Sequence, residues 1–76
     1  MAHSIPTDAK EVTPSNTQNL EQPGTLYIGT GGNVKVTTIG GTTLIYYNVP
    51  DGFMLPVAVK RVWEDGTTAT NINSQN

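Results

Sequence analysis

Short β-prone runs separated by glycine turns dominate the chain after residue 23 and limit what it can fold into. Thr, Val, Ile and Tyr are frequent in these runs, and Gly-Gly or Asp-Gly pairs recur between them. No window carries the apolar spacing of an amphipathic helix. The pattern predicts strands over 25–30, 34–39, 42–49, 53–63 and 69–72. We therefore expect an all-β chain: a small antiparallel β-sandwich or barrel-like sheet of about five strands.

The first 23 residues differ from the rest of the chain. They contain three prolines and no apolar periodicity, so alone they bury too little surface to offset their ordering entropy. We interpret residues 1–23 as an extended N-terminal arm, 24–72 as the β domain and 73–76 as a polar tail. A partner surface is expected to order the arm. The arm residues expected at that interface are Val12, Pro14 and Leu20.

Turn residues predict how the strands pair. A two-residue primed turn fits Gly40-Gly41, because both central positions need positive φ. Val36 then lies opposite Ile45, and Leu44 and Tyr46 lie on the outer face. A three-residue loop over 31–33 is expected to join the first two strands into a hairpin.

The proline within the fourth predicted strand has its own consequence. Pro56 has no N–H for a ladder hydrogen bond, so an edge position or a bulge is predicted there. The break in alternation at Val62 and Trp63 also suggests a bulge.

The chain is small for a self-sufficient fold. Its 76 residues include no Cys, so neither disulfides nor a cysteine zinc site can support a core. Help from other subunits is therefore expected. The uncharged run 42–49 is strongly β-prone and would favour aggregation if it were exposed. The sheet residues expected at an interface are Leu44, Tyr46 and Trp63.

Several function classes have little support in the sequence. The net charge of −2 and the scarcity of Lys and Arg argue against nucleic-acid binding. No apolar run is long enough to span a membrane. His3 lies in the polar arm with no rigid element to hold it near a nucleophile, and Glu64-Asp65 reads as a solvated turn rather than a metal site. We expect no enzyme activity, no metal and no cofactor.

Six short motifs occur in an order that resembles a known protein family. The motifs are Val12 to Leu20 (VTPSNTQNL), Leu26 to Val34 (LYIGTGGNV), Ile39 to Thr42 (IGGT), Asn48 to Phe53 (NVPDGF) and Leu55 to Val62 (LPVAVKRV), followed by Gly66 to Thr70 (GTTAT). Together they resemble the small head-spike base proteins of tailed bacteriophages and gene transfer agents.

The resemblance implies a virion structural protein on the outer capsid surface, acting as a head-spike base, cement or decoration protein. It implies a homo-oligomer, a pentamer or trimer, whose partners are the major capsid protein and, at the spike, a fibre protein. The arm would dock on the capsid or on neighbouring subunits. The family tends to end in an apolar stretch, whereas this chain ends in Asn73-Ser-Gln-Asn76. A closing strand is therefore expected to be missing or supplied by a neighbour.

A different class of function also fits the sequence. A small free-standing β-barrel could bind a glycan or another ligand on aromatic stacking platforms. The candidate rings are Tyr27, Tyr46, Tyr47 and Trp63.

Overall fold

The computed structural model describes residues 9–20 and 23–75, and the described part of the chain is all-β. The prediction of the fold class is confirmed. Six strands form one antiparallel sheet. The strands are β1 (Ala9–Glu11), β2 (Gly24–Thr30), β3 (Gly32–Thr38), β4 (Thr43–Val49), β5 (Phe53–Val62) and β6 (Thr70–Gln75). The strands predicted from the turn spacing lie within a few residues of β2 to β6, whereas β1 was not predicted.

The sheet order is β1-β6-β2-β5-β3-β4. Only Gly31 separates β2 from β3, yet both pair with β5 on opposite sides. The predicted hairpin between these two strands is therefore wrong. The N-terminal part of β5 pairs with β2 and its C-terminal part with β3, so the sheet has to curl strongly around the core. The result is a barrel-like sheet that stays open.

β5 accommodates its proline in an irregular segment. On the β2 side, Thr25 pairs with Ala58 and Tyr27 with Met54, so three residues of β5 oppose one of β2. Pro56 lies within this bulge and is exposed. A second register shift occurs where β5 meets Thr37 and Thr38. The predicted bulge at Pro56 is confirmed, in a strand that lies inside the sheet rather than at its edge.

The predicted register of β3 and β4 is wrong by one residue. Val36 pairs with Leu44 and Val34 with Tyr46, where the two-residue turn had placed Ile45 opposite Val36. The register differs because the loop between β3 and β4 is longer than two residues. Ile39 N–H donates to the carbonyl of Ala58 in β5, 3.2 Å away, so Ile39 does not pair with β4. A one-residue slip moves every side chain of β4 to the other face.

The C-terminal residues complete the sheet. β6 runs to Gln75 and lies between β1 and β2, with Ile72 and Ser74 buried. The closing strand expected to be missing or supplied by a neighbour is thus present in the chain itself. The sequence did not reveal this strand, because most of its residues are polar and its Asn and Gln side chains alternate with the two buried positions.

One hydrophobic core fills the inside of the curled sheet. Leu26, Ile28, Val34, Val36 and Val59 are fully buried, and Leu20, Tyr46 and Val57 pack against the cluster from its periphery. The remaining members are Val12, Val49, Leu55, Val62, Ala69 and Ile72. Among the described strands, β2, β3, β5 and β6 therefore contribute fully buried apolar side chains, and β4 contributes Val49, which is 7% exposed.

Candidate docking surfaces

The described part of the arm lies along its own β domain. β1 pairs with β6 through Lys10 and Ser74, and beyond it Val12 N–H donates to the Ile72 carbonyl at 2.9 Å. Ser15 N–H donates to the Val62 carbonyl at 2.9 Å and Leu20 N–H to the Lys60 carbonyl at 2.8 Å. Residues 9–20 thus find partners within the chain, where the sequence had suggested that another protein would be needed to order them.

The three arm residues predicted at an interface lie in different surroundings. Val12 is 7% exposed within the core of its own chain, which leaves little of its surface for a partner. Leu20 is half-buried and packs against the same core. Pro14 is half-buried. Val12 and Pro14 both line an open groove, and Pro14 is the more exposed of the two, whereas Leu20 is not part of the lining.

That groove runs between the arm and the segment that leads into β6. Its volume is about 390 Å³. Val12, Ala69 and Ile72 are the buried apolar residues of its lining. The rest of the lining is Thr13, Pro14, Glu64, Thr67, Thr68, Thr70 and Asn71. The groove thus combines buried apolar residues with hydroxyl-bearing side chains.

Arg61 joins the arm to the sheet. Its Nε donates to Asn19 Oδ1 at 2.8 Å, and its terminal nitrogens donate to the carbonyls of Asn16 and Thr17 at 3.4 Å. Asn16 Oδ1 in turn accepts a hydrogen bond from the N–H of Asp65 at 2.9 Å. Since the guanidinium presents its donors in a fixed fork, it holds this turn of the arm in one orientation.

Trp63 lies among cations on the outer face of the sheet. Lys35 Nζ is 4.9 Å and the Arg61 guanidinium carbon 4.8 Å from the centre of its ring. The indole Nε1 donates to Thr37 Oγ1 at 2.9 Å, and Thr37 Oγ1 also lies 2.8 Å from Thr43 Oγ1. Trp63 is half-buried, so this predicted interface residue is fixed in place and still presents part of its surface.

The one-residue slip changes which β4 side chains face outward. Leu44 and Tyr46, predicted on the outer face, lie on the core side opposite Val36 and Val34, and Tyr46 packs against the core. The outward positions are instead Ile45 and Tyr47. Tyr47 is 68% exposed, the highest value among the large apolar and aromatic side chains of residues 9–20 and 23–75.

The four rings considered for a glycan platform do not share one surface. Tyr46 and Tyr47 are consecutive in β4 and point to opposite faces. Tyr27 lies in β2, opposite Met54, while the Trp63 ring lies against Lys35 and Arg61. The four rings therefore do not form one common stacking platform.

The described residues hold no cluster of three or more side chains with metal-ligating chemistry. Glu64 and Asp65 lie in an exposed turn that ends at Gly66, as predicted. His3 lies outside the described residues. Within 9–20 and 23–75 there is no helix that is long and apolar enough to cross a membrane.

Of three comparisons with known proteins, one found a match. No protein-family model matches the chain, and no curated protein matches it. A solved structure does: a chain in the capsid of a native gene transfer agent particle, computed with C5 symmetry, is 34% identical in sequence. The match has a TM-score of 0.85 and covers 96% of this chain and 86% of that one.

This chain belongs to the same protein family as that capsid chain. Because the match covers nearly the whole sequence, the family likeness includes the arm as well as the β domain. The groove beside Pro14, the Trp63 cluster and the outward face of β4 are therefore candidate contact surfaces of a capsid-related protein.

Proposed function

We propose that the protein is a structural component of a virion, bound to the outside of the capsid as a head-spike base, cement or decoration protein. The observation that carries this proposal is the 34% identity to a capsid chain over nearly the whole sequence. The partners are the major capsid protein and further copies of this chain in a pentamer or trimer. A spike fibre would bind on top of a head-spike base. The protein has no catalytic role in this proposal.

The arm and the groove beside it form the capsid-facing part of the protein. Pro14 is half-buried at the groove, where the backbone of the arm is already fixed by hydrogen bonds to β5 and β6. Such a preordered surface loses little conformational entropy on docking. Repeated weak contacts from several copies would then add through effective concentration.

Deleting the arm cannot test this docking, because the arm is part of the fold. Val12 lies in the core and three arm N–H groups bond to β5 and β6, so a truncated chain would lose stability as well as attachment. A single surface substitution separates the two effects. Pro14→Arg places a charge at the groove, and Gln18→Arg places the same charge on an exposed part of the arm outside it.

The experiment is quantification of the protein in gradient-purified particles, with protease or antibody access as the measure of outer position. The wild type and Gln18→Arg should be present in equal amounts and accessible from outside, and Pro14→Arg should be depleted. A wild-type protein absent from the particles would overturn the proposed function. Equal occupancy by both variants would refute docking through the groove but would leave the proposed virion role standing.

A further inference from the structure

β4 is an edge strand with an unpaired side. Within the described chain it pairs only with β3, on one flank. An unpaired flank presents a row of N–H and C=O groups on which another strand can add. Seven residues, Thr43 to Val49, are long enough to present several such groups.

The sequence of β4 lacks most of the devices that protect an edge. It carries no charged residue and no proline, although both are common at protected edges. The exception is a bulge where Tyr47 and Asn48 oppose Asn33, with Asn48 at a φ of 57°. Thr43 to Tyr46 remain in regular register with β3. An uncharged, β-prone edge of this kind is suited to be covered in the working assembly.

The side chains around this edge are also suited to contact. Tyr47 in β4 is 68% exposed and Ile45 in the same strand is half-buried, while Ile39 in the preceding loop is 55% exposed. Tyrosine is enriched at protein interfaces because its ring gives a large contact area at low entropic cost.

We propose that β4 pairs with a strand of a second copy of this chain, so that the sheets of neighbouring subunits join. This inference deepens the proposed function and rests on it for the choice of partner, since the matched capsid chain belongs to a particle with C5 symmetry. In a symmetric particle every copy has equivalent copies around the axis. An uncharged strand also meets a second copy without like-charge repulsion.

Charge placed on the edge tests the proposal. Ile45→Glu puts a carboxylate opposite Lys35, and this pair of opposite charges is compatible with the folded monomer. The same charge on the edge strand disfavours pairing of β4 with a strand of another subunit. Tyr47→Glu changes a side chain that is already mostly in solvent. The matched control is Met54→Glu, a 42% exposed residue on β5 that pairs with Tyr27 of β2 and lies away from the β4 edge.

The measurement is sedimentation velocity of the full purified chain across a wide concentration range, together with occupancy in purified particles. The wild type and Met54→Glu should self-associate. Ile45→Glu and Tyr47→Glu should do so at least about tenfold more weakly, because an unpaired charge would be buried. Hydrogen exchange of the β4 amides should slow as the wild type associates.

Each outcome decides one of the two proposals. Self-association that is equally strong in all variants, or a wild type that stays monomeric in solution, overturns pairing through β4. If the monomeric wild type is found in particles and Ile45→Glu is depleted there, β4 contacts a different chain and the second-copy assignment is wrong. If the wild type is absent from particles but its association is weakened by Ile45→Glu, the strand pairing stands and the virion role fails.

Discussion

The guanidinium of Arg61 lies 4.8 Å from the centre of the Trp63 ring while its nitrogens hold the arm turn over 16–19. One side chain thus links an aromatic residue at the end of β5 to a segment more than 40 positions earlier in the sequence. Contact with the ring restricts the side-chain torsions, which favours the fork of hydrogen bonds to the arm. The arm is consequently fixed at its middle as well as at β1.

Arg61→Lys should loosen the arm without unfolding the sheet. An ammonium retains attraction to the Trp63 ring but loses the planar fork that reaches Asn19 and the two carbonyls. We expect a loss of about 1 kcal/mol in the free energy of unfolding, and faster hydrogen exchange at residues 15–20. Denaturant titration and exchange mass spectrometry measure these two effects.

Lys60→Ala is the matched control for the arm. Lys60 uses its carbonyl, not its side chain, in the hydrogen bond from Leu20, so the arm should exchange as in the wild type. Equal exchange rates in Arg61→Lys and Lys60→Ala would contradict the role given to the guanidinium.

Thr37→Val should cost more stability than Thr43→Val. Thr37 Oγ1 accepts the indole N–H of Trp63, and its loss leaves that half-buried donor unpaired. Thr43 is exposed, and its hydroxyl bonds to the Thr37 hydroxyl rather than to the indole. We expect about 1–2 kcal/mol for the first variant and less than half of that for the second. Thermal unfolding followed by tryptophan fluorescence checks the order, and equal destabilisation would contradict it.

Most of the fold could be predicted from local signals, because they are strong in this chain. Asp51-Gly52 and Asp65-Gly66 lie in turns as predicted, and β-branched runs between turns form the strands. Gly40-Gly41 also lies between two strands, but in a longer loop than the predicted two-residue turn, with a positive φ at Gly41 and not at Gly40. The bulge at Pro56 also follows from local chemistry, since proline cannot donate to a ladder. These features depend on residues close together in the sequence.

The errors involve partners far apart in the sequence. The β4 register depends on Ile39 bonding to Ala58, and β1 and the end of β6 depend on each other. Patterns in the spacing of residues along the sequence cannot predict such long-range contacts. The register error carried over to the candidate site: Leu44 and Tyr46 were predicted to face outward, but Ile45 and Tyr47 do. The prediction that Trp63 is partly exposed did not depend on the β3–β4 register.

Val12→Ala should destabilise the isolated chain, which distinguishes a core residue from a docking residue. Val12 is 7% exposed and belongs to the core cluster with Ile72. Removing its two methyl groups should reduce the free energy of unfolding by about 1–3 kcal/mol, measurable by urea titration of the purified protein. Thr13→Ala, at the exposed next residue, should have little effect. A wild-type unfolding curve for Val12→Ala would mean that the arm is not part of the core.

Gly31→Ala should disrupt the fold, whereas Gly40→Ala should be tolerated. A Cβ at Gly31 would lie 2.1 Å from the carbonyl oxygen of Val49, and Gly31 N–H donates to Asp51 Oδ1 at 2.6 Å. The chain therefore cannot move away from Val49 without losing that bond. At Gly40 the nearest atom to a new Cβ is 3.8 Å away, which is ordinary contact. We expect a loss of at least about 3 kcal/mol for Gly31→Ala, the range of severe core and backbone defects, and a change within about 0.5 kcal/mol for Gly40→Ala. Circular dichroism melts of both variants check this. If Gly31→Ala folds with wild-type stability, the backbone at Gly31, between β2 and β3, does not lie as close to Val49 at the end of β4 as described.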